Sequence, residues 1–378
     1  MRVLILNYEF PPLGGGAGRV ALSQAQILAK KHEVVVLTAG FDNLPDFEEM
    51  DGFEVFRLKS RRRYCHKSNV FEMMSWLKYA KIFCNDYLVS NPIHLVIAHF
   101  SLPGGELAFR LSKKFNIPYF VISHGHDIPW FFPKQMWHFH LITYFRIRKI
   151  CRNASKLIVL SEILKQNAIQ FLGDKYQNIV HVIPNATKED EFPLIIDRDR
   201  SELKILFIGR LVEQKNPLLL IKALKELKNK RVPFSCNIIG DGPLYSVLQK
   251  NIRDFELENQ IQLRGWLEIK EIVEAMKQAH LFVLPSRIEA MSVAILEALF
   301  SGLFVITTPE ADSFKLINAD IGAYFENNNV ADLLKTILDF HQQFILNEKL
   351  FPIESYHKIR HEFGMMNFEK RLTEIIAD

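Results

Sequence analysis

The chain has few cysteines and no long hydrophobic run. Only four of its 378 residues are cysteine (Cys65, Cys84, Cys151 and Cys236), and none belongs to a CxxC pair. This spacing indicates neither a disulfide framework nor a zinc site. No apolar run approaches the roughly 20 residues that cross a bilayer as a helix. The opening apolar segment is too short for a signal peptide and is predicted to be a strand. The scattered cysteines fit a reducing environment, so we expect a cytoplasmic protein.

Acidic residues are scarce in two stretches of the first half. Residues 1–190 carry 24 Lys and Arg against 16 Asp and Glu, whereas residues 191–378 carry 23 against 27. Segment 57–81 holds eight cations and one acid, and segment 128–161 holds six cations and no acid. Such segments meet anionic lipid or nucleic acid, or they are plain solvated helices.

No recognisable nucleic-acid module accompanies these basic segments, so we expect no nucleic-acid partner. Because aromatic residues interleave with the charges, we expect an anionic membrane surface as a partner. The aromatic run from Trp130 to Trp137 is the expected apolar anchor. The residues expected to face the bilayer are Arg57, Lys59, Arg61, Arg62, Arg63 and Lys67.

Apolar strands alternate with helical segments along the whole chain, which predicts α/β architecture with parallel sheets covered on both faces. The first predicted series is Val3–Asn7, Glu33–Thr38, Leu95–His99, Tyr119–Ser123, Lys156–Leu160 and Val180–Ile183. The second is Lys204–Gly209, Phe234–Gly240, Ile261–Arg264, Leu281–Leu284 and Leu303–Thr307. We therefore expect two Rossmann-like doubly wound domains at 1–190 and 203–353. A charged linker spans 191–202, and 354–378 is expected to be helical from Tyr356 to Ile376.

Two glutamates straddle the start of an apolar helix in segment 285–308. Ser292 is a suitable N-cap, which leaves the amides of Ser292 and Val293 free to bind a diphosphate. This arrangement suits a nucleotide-sugar donor. Glu289 precedes the helix, where it would lie near the sugar ring, and Glu297 lies about one turn inside, where a carboxylate can accept both ribose hydroxyls. The spacing alone is equally typical of two unrelated acids on an amphipathic helix.

A glycine-rich loop follows the first strand and opens a helix. The run Gly14-Gly15-Gly16-Ala17-Gly18 formally contains a dinucleotide fingerprint. That interpretation requires a tight turn directly after the strand and an acid at the end of the second strand, and the chain has neither. Glycines instead let backbone amides approach a ligand closely. We assign Gly15 and Gly16 to a donor phosphate and Gly14 to the acceptor side.

Two cations follow the first strand of the second series, where α/β folds bind ligands. Arg210 and Lys215 would stabilise the negative charge that develops on a nucleoside diphosphate as it leaves a sugar. Asp197-Arg-Asp199 has the D-x-D form of a metal site but lies in the charged linker. With two cations and a helix N-terminus available for the diphosphate, we expect no metal and no cofactor. A glycosidase pair is rejected, because the two glutamates would touch opposite ends of the donor.

Several motifs together resemble one enzyme family. They are Asn7-Tyr-Glu-Phe-Pro-Pro-Leu-Gly14-Gly-Gly, Ser123-His124-Gly-His-Asp127, Val182-Ile-Pro-Asn185-Ala, Phe207-Ile-Gly-Arg210-Leu-Val-Glu-Gln-Lys215, Ile239-Gly-Asp-Gly-Pro243, Gly265-Trp266 and the Glu289/Glu297 segment. In this order they resemble the retaining glycosyltransferases of family 4, with their E-x7-E signature and GT-B fold. Where that family commonly has glycine, this chain has Ala186 and Ala290.

The resemblance implies two domains facing across a cleft, with a C-terminal helix crossing back to the first domain. It implies a UDP- or GDP-linked sugar on the second domain and an acceptor on the first. It also implies retention of the anomeric configuration by front-face attack, in which the donor phosphate helps to remove the acceptor proton. The matching histidine faces the donor sugar, so His124 is grouped with Glu289, Arg210 and Lys215 as catalytic and with Asp127 on the acceptor side.

The basic excess of the acceptor-side domain leads us to expect a lipid-linked saccharide acceptor. This would place the enzyme in cell-surface polysaccharide or lipopolysaccharide assembly, peripheral to the inner face of the cytoplasmic membrane. A transferase with a small soluble acceptor, a nucleotide-sugar epimerase of the same fold and a catalytically silent binding module are the alternatives.

Overall fold

The chain forms two compact units. The computed structural model describes residues 1–65, 68–131, 137–199, 201–346 and 352–377. The first unit comprises Met1–Pro184 together with Glu369–Asp378, and the second comprises Asn185–Phe368.

The first unit is built on an eight-stranded sheet. Its strands are β1 Arg2–Leu6, β2 Glu33–Ala39, β3 Phe47–Met50, β4 Phe53–Leu58, β5 Leu95–His99, β6 Tyr119–Ile122, β7 Lys156–Val159 and β8 Val180–Val182. The order is β3-β4-β2-β1-β5-β6-β7-β8, and only β3 pairs antiparallel. Its helices are α1 Gly16–Ala29, α2 Val70–Ser90, α3 Glu106–Phe115, α4 Trp137–Asn153 and α5 Glu162–Leu172.

The second unit is built on a parallel six-stranded sheet. Its strands are β9 Leu203–Ile208, β10 Phe234–Ile239, β11 Ile261–Gly265, β12 Leu281–Leu284, β13 Phe304–Thr307 and β14 Gly322–Tyr324, in the order β11-β10-β9-β12-β13-β14. Its helices are α6 Pro217–Asn229, α7 Tyr245–Asp254, α8 Ile269–Gln278, α9 Val293–Phe300, α10 Val330–Ile345 and α11 Ile353–Phe363. The predicted α/β class with two parallel sheets is confirmed.

Every strand of the two predicted series is present, with ends shifted by a residue or two at most sites. The central strands are fully buried, as expected for a sheet covered on both faces. Three strands were not predicted, namely β3, β4 and β14. In β4 buried and half-buried residues alternate because the strand lies near the edge of the sheet.

Two residues predicted to face a bilayer are buried instead. Arg57 lies on β4, is 2% exposed and pairs with Glu48 at 2.5 Å. The Arg62 guanidinium is also buried and donates to the backbone carbonyls of Tyr64 and Cys65, both at 2.9 Å. The prediction is therefore wrong for these two arginines, because internal acceptors hold them. Lys59, Arg61 and Arg63 are exposed, and Lys67 lies outside the described residues.

The helix predicted from Tyr356 to Ile376 is two helices, because α11 ends before Gly364 and α12 spans Met365–Ala377. Gly364 is extended and forms a bridge with Thr187, and a Cβ at this position would collide with the Glu189 carboxylate and the Arg360 carbonyl. The last helix returns to the first unit as predicted, where Lys156 Nζ donates to the Ile375 carbonyl at 2.8 Å.

The charged segment 191–202 is tied to the second unit. Phe192 is fully buried, and the Arg198 guanidinium donates to the carbonyls of Gly302 at 3.0 Å and Lys277 at 3.2 Å. Arg198 also donates to Ser301, the C-cap residue of α9. The bonds to Ser301 and Gly302 satisfy carbonyls at the end of α9, and the bond to Lys277 satisfies one in the last turn of α8. The segment predicted as a linker thus holds one end of the helix whose other end was predicted to bind the donor.

Candidate active site

The loops after β9, β10 and β11 meet at the carboxyl edge of the second sheet. Gly209 donates to the Ile239 carbonyl at 3.0 Å, and Gly240 donates to the Gly265 carbonyl at 2.7 Å. A Cβ at Gly240 would lie 2.0 Å from the Gly209 carbonyl oxygen, so no other residue fits there. Arg210 leaves this edge with an exposed side chain. The packing exposes backbone and one guanidinium at the edge where α/β folds bind ligands.

Lys215 and Glu289 form an ion pair at the same edge. Lys215 Nζ lies 2.8 Å from Glu289 Oε1, and both side chains are largely buried. The lysine stem packs over Gly209, whose missing side chain leaves room for it. Glu289 Oε1 has no hydrogen bond of normal geometry among the described residues. The pair therefore holds a positive and a negative group side by side in a largely buried setting, and Lys215 is the ion-pair partner of this oxygen.

Ser292 is the N-cap of α9, as predicted, and its hydroxyl accepts from the Ile295 amide. The helix has no acidic residue in its first turn, so its partial positive charge is not cancelled locally. Val293 is the first helical residue, and Glu297 lies further along the helix, 4% exposed. The ion pair thus places Lys215 beside the segment of the second unit that carries Glu289, Ser292 and Val293.

Residues that sequence reasoning missed hold this stretch in place. Thr308 Oγ1 donates to the Ser286 carbonyl at 2.6 Å, and Ser313 Oγ donates to the Ala290 carbonyl at 2.8 Å. The Ser286 hydroxyl and Asn185 Oδ1 are buried without a hydrogen-bond partner among the described residues. Buried polar atoms are normally paired, so these two mark where a polar ligand or water would bind. Asn185 stands in a quoted motif, whereas Ser286 had no signal in the sequence.

In the first unit the glycine loop leads directly into α1. Gly15 is the N-cap of this helix and has no side chain to occupy its amides. Apart from its neighbours in the chain, no described residue comes within 4 Å of the position of a Cβ there. Gly16 is the first helical residue. Gly14 has a φ of +84°, and a Cβ at this position would collide with Glu9. The loop therefore leaves the N-terminus of a helix open to an anionic group.

Asp127 is used internally. Its Oδ1 accepts from Ser123 Oγ at 2.8 Å and from the His124 amide at 3.1 Å. Its Oδ2 accepts from the Ser101 amide at 2.8 Å and from the Ser101 hydroxyl at 3.1 Å. The carboxylate therefore joins the loop after β6 to the segment after β5, and its direct role is to fix the backbone of His124.

His124 belongs to a buried hydrogen-bonded chain. His124 Nε2 lies 3.0 Å from His99 Nδ1, and His99 Nε2 lies 3.0 Å from Gln24 Oε1. An amide oxygen only accepts, so His99 Nε2 donates to it. Burial, and to a smaller degree the neighbouring His124, lowers the pKa of His99 well below its usual range, so its ring is neutral and Nδ1 accepts from His124 Nε2.

This chain fixes the chemistry available at His124. Burial lowers the pKa of His124, and the Asp127 carboxylate opposes part of that shift. With its proton on Nε2, the neutral ring has a lone pair on Nδ1. His124 can therefore accept a hydrogen bond from a ligand hydroxyl at Nδ1. Gln24 and His99 escaped sequence reasoning, because they lie 75 residues apart in the chain.

Asp199 of the D-x-D segment is hydrogen-bonded to a nearby residue. Asp199 accepts hydrogen bonds from the amide and hydroxyl of Ser201 at 3.2 and 2.7 Å. Within the described ranges, no group of three or more His, Cys, Asp or Glu side chains is placed to hold a metal ion.

Two family models match the chain, one in each half. The model described as "Glycosyltransferase Family 4" matches residues 14–191, and "Glycosyl transferases group 1" matches residues 189–350. Every motif residue from Gly14 to Glu297 lies within these two matches.

Curated relatives include glycosyltransferases of archaea and bacteria. An uncharacterised glycosyltransferase of Methanocaldococcus jannaschii is 28% identical over 93% of this chain and 90% of its own length. WcaL of Escherichia coli, named for colanic acid biosynthesis, is 23% identical over 85% of this chain and 81% of its own. An Escherichia coli α-1,3-galactosyltransferase that uses UDP-Gal and GlcNAc-diphosphoundecaprenol is 28% identical over 53% of this chain and 54% of its own.

Solved structures share the fold at lower identity. Sucrose-phosphate synthase of Thermosynechococcus elongatus has a TM-score of 0.84 at 16% identity, covering 100% of this chain and 98% of its own. Anabaena HepE with UDP-glucose has a TM-score of 0.78 at 16%, covering 100% and 99%. WaaG, from lipopolysaccharide biosynthesis, has a TM-score of 0.72 at 16%, covering 99% of both chains. The chain is therefore a nucleotide-sugar glycosyltransferase of the GT-B fold, similar in its two halves to the two glycosyltransferase families it matches.

Proposed function

We propose that the enzyme transfers a sugar from a UDP- or GDP-linked donor to a lipid-linked saccharide, with retention of configuration and without a bound metal. The Lys215–Glu289 ion pair beside the N-terminus of α9 carries this proposal. The pair places a cation that can bind a phosphate next to a carboxylate that can accept from a sugar hydroxyl, and both side chains are largely buried.

The leaving diphosphate gains negative charge as its bond to the donor's sugar breaks. In the proposal, Lys215, Arg210 and the first amides of α9 bind that charge. Lys215 would then exchange Glu289 for a phosphate oxygen, and Glu289 would accept from the sugar. A preorganised charge of this kind acts mainly on the transition state, because the developing charge is greatest there. Glu297, in the same helix, would accept the ribose hydroxyls.

Retention in a single displacement requires that the acceptor attack from the face that the diphosphate leaves. In this scheme a phosphate oxygen takes the acceptor proton, so no protein general base is needed, and the single displacement needs no protein nucleophile. His124 would accept a hydrogen bond from a sugar hydroxyl through Nδ1 and thereby orient the ring. Its lowered pKa supports this role, since a protonated imidazole has no acceptor.

The lipid-linked acceptor is supported by the surface of the first unit and by the relatives. The E. coli galactosyltransferase named above uses a diphosphoundecaprenol-linked sugar. On α4 the apolar side chains of Trp137, Leu141, Ile142 and Phe145 are exposed. No helix within the described ranges has the length and apolar composition to span a bilayer. Because these apolar side chains of α4 are exposed, we propose peripheral contact with the membrane through them.

The test is an assay with UDP-galactose and GlcNAc-diphosphoundecaprenol, extended to UDP-glucose and GDP-sugars. We expect Lys215→Ala to lower kcat by roughly 10²–10³-fold, the scale for one charge-stabilising group. Glu289→Gln should also lower the rate, because it keeps the shape and removes the charge. The matched control is Lys222→Ala, an exposed lysine on α6. A loss of less than about threefold for folded Lys215→Ala would contradict the phosphate role.

The stereochemical part of the proposal is checked on the product. Proton NMR of the new glycosidic linkage should show the same anomeric configuration as the donor sugar. An inverted product would overturn the front-face scheme and would leave the nucleotide-sugar activity intact.

A further inference from the structure

A cavity of about 700 Å³ opens beside the N-terminal end of α2 in the first unit. We call it the α2 cavity and define it by the three cations Arg61, Arg63 and Lys78 and by the apolar side chains Phe71 and Met74, all of which line it. None of these residues has a role in the transfer chemistry proposed above.

Three successive arginines alternate in direction at this place. Arg62 points inward, where its guanidinium donates to the carbonyls of Tyr64 and Cys65. Its neighbours Arg61 and Arg63 are exposed and line the cavity. Arg61 has a φ of +53°, in the left-handed region that non-glycine residues seldom adopt. The inward anchor of Arg62 thus fixes the backbone from which the two outer guanidinium groups project.

One face of α2 forms the opposite wall. Phe71, Met74 and Lys78 follow helical spacing, whereas Trp76 is buried on the other face and donates to the Thr38 carbonyl at 2.8 Å. Phe71 is 86% exposed and Met74 is 58% exposed. Two large apolar side chains therefore stand beside three cations without being covered by the described parts of the chain.

The lining of the cavity carries more positive than negative side chains. Among the described residues, Arg61, Arg63 and Lys78 have no carboxylate within ion-pair distance. The one acid in the lining, Glu72, is 5% exposed and is held in a capping box, in which its carboxylate accepts from the Asn69 amide at 3.1 Å. Two guanidinium groups and an ammonium suit a phosphate or diphosphate, which arginine binds in bidentate fashion.

The α2 cavity is fastened to the glycine loop. Gly14 donates its amide to the Cys65 carbonyl at 2.8 Å, and Arg62 donates to the Tyr8 carbonyl at 3.4 Å. The segment that carries Arg61 and Arg63 is thus bonded to the residues before and within the loop that leads into α1. A ligand in the cavity would lie alongside this loop.

We infer that the α2 cavity binds the diphosphate of a lipid-linked acceptor, with Phe71 and Met74 against the first part of its apolar chain. This inference rests on the proposed function, because it names the part of the acceptor that the first unit recognises. It requires a ligand with an anionic head and an apolar tail, which accounts for both kinds of side chain in the lining. Bilayer phospholipid shares that chemistry and is distinguished by the experiment below.

The test uses farnesyl diphosphate as a soluble probe, with inorganic diphosphate and farnesol for comparison, in titration calorimetry. The double variant Arg61→Ser/Arg63→Ser should weaken binding of farnesyl diphosphate by at least about tenfold, because two charge-assisted contacts are lost. Phe71→Ser should weaken binding of farnesyl diphosphate and leave inorganic diphosphate unchanged. Lys59→Ser is the matched control, since it removes an exposed cation of the same segment that does not line the cavity.

The double variant Lys59→Ser/Lys81→Ser removes two exposed lysines that do not line the cavity. If it loses as much farnesyl diphosphate binding as the arginine double variant, the inference is overturned, because binding would then depend on overall charge. If the arginine variant instead lost binding to phosphatidylglycerol vesicles and kept farnesyl diphosphate, the cavity would belong to bilayer lipid and the acceptor assignment would be wrong. Binding of UDP by the same samples reports on the second unit. If UDP binding and sugar transfer are intact while the arginine and lysine variants bind farnesyl diphosphate equally well, this inference alone is rejected.

Discussion

His124 is held by hydrogen bonds that run through His99 to Gln24 on α1. The Gln24 amide oxygen accepts from His99, His99 accepts from His124 Nε2, and His124 Nδ1 is left as an acceptor. A lone histidine at the end of a buried strand is compatible with many roles, so its type and position alone do not fix whether it donates or accepts. The two neighbours fix it, because the Gln24 oxygen only accepts and thereby selects the His99 tautomer that accepts at Nδ1.

We predict that His124 is neutral, with its proton on Nε2, at pH 7 and remains so at pH 6. Burial lowers its pKa from the ordinary 6.5, so protonation is expected only well below that value. Nitrogen-15 NMR of histidine-labelled protein should show Nδ1 without a proton and Nε2 with one. In Gln24→Leu, His99 loses its acceptor, and the fixed pattern at His124 should be lost.

The control is Gln26→Leu, a change on the same helix at a residue that bonds Asp51 and not His99. It should leave the His124 signals in place. A titration of His124 near pH 6.5 in wild-type protein, or a proton on Nδ1, would contradict the assigned direction of the chain.

Helix α4 carries an exposed apolar stripe, although the segment 128–161 that contains it is basic in overall composition. Ile142 is 83% exposed and Phe145 is 79% exposed, and both follow the helical spacing that begins at Trp137. The aromatic run predicted as the membrane anchor, Trp130–Trp137, falls largely on residues 132–136, which lie outside the described residues. The structure therefore shifts the expected apolar contact onto the helix that follows.

We predict that Ile142→Ser/Phe145→Ser lowers partition onto phosphatidylglycerol vesicles by at least about tenfold, since each side chain contributes roughly 1.5–3 kcal/mol when it is buried. Co-sedimentation measures this, and wild-type binding should fall from low to high salt. Ile163→Ser, at an exposed isoleucine on α5, should bind like wild type. Equal partition onto neutral and anionic vesicles would contradict an electrostatic contribution.

The sheets of both units could be predicted because their strands are continuous apolar runs that end in glycine or polar residues. Strand β4 was missed because the charged residues Arg57 and Glu54 interrupt its apolar pattern. Only the structure shows that Arg57 is buried and paired with Glu48. The ion pair of Lys215 with Glu289 joins two motifs that were each recognised, yet the sequence does not state that they touch. Pairings between distant segments, such as Gln24 with His99, depend on strand order and helix placement.

The whole enzyme offers a further prediction, which concerns metal ions. A diphosphate needs positive charge around it, and in the second unit Lys215, Arg210 and the N-terminus of α9 are available to supply it. We therefore predict that sugar transfer continues at an unchanged rate in excess EDTA. The initial rate is measured with EDTA, with added Mg²⁺ and with added Mn²⁺.

The same samples give a second readout through thermal unfolding. The cognate nucleoside diphosphate at a hundredfold over its dissociation constant should stabilise the protein by about 2.7 kcal/mol, with or without EDTA. Lys215→Ala should reduce this stabilisation, because the cation that pairs with Glu289 would no longer be present for the phosphate. A rate that falls to background in EDTA and returns with Mg²⁺ would show that protein cations alone do not carry the diphosphate charge, and the metal-free scheme would be rejected.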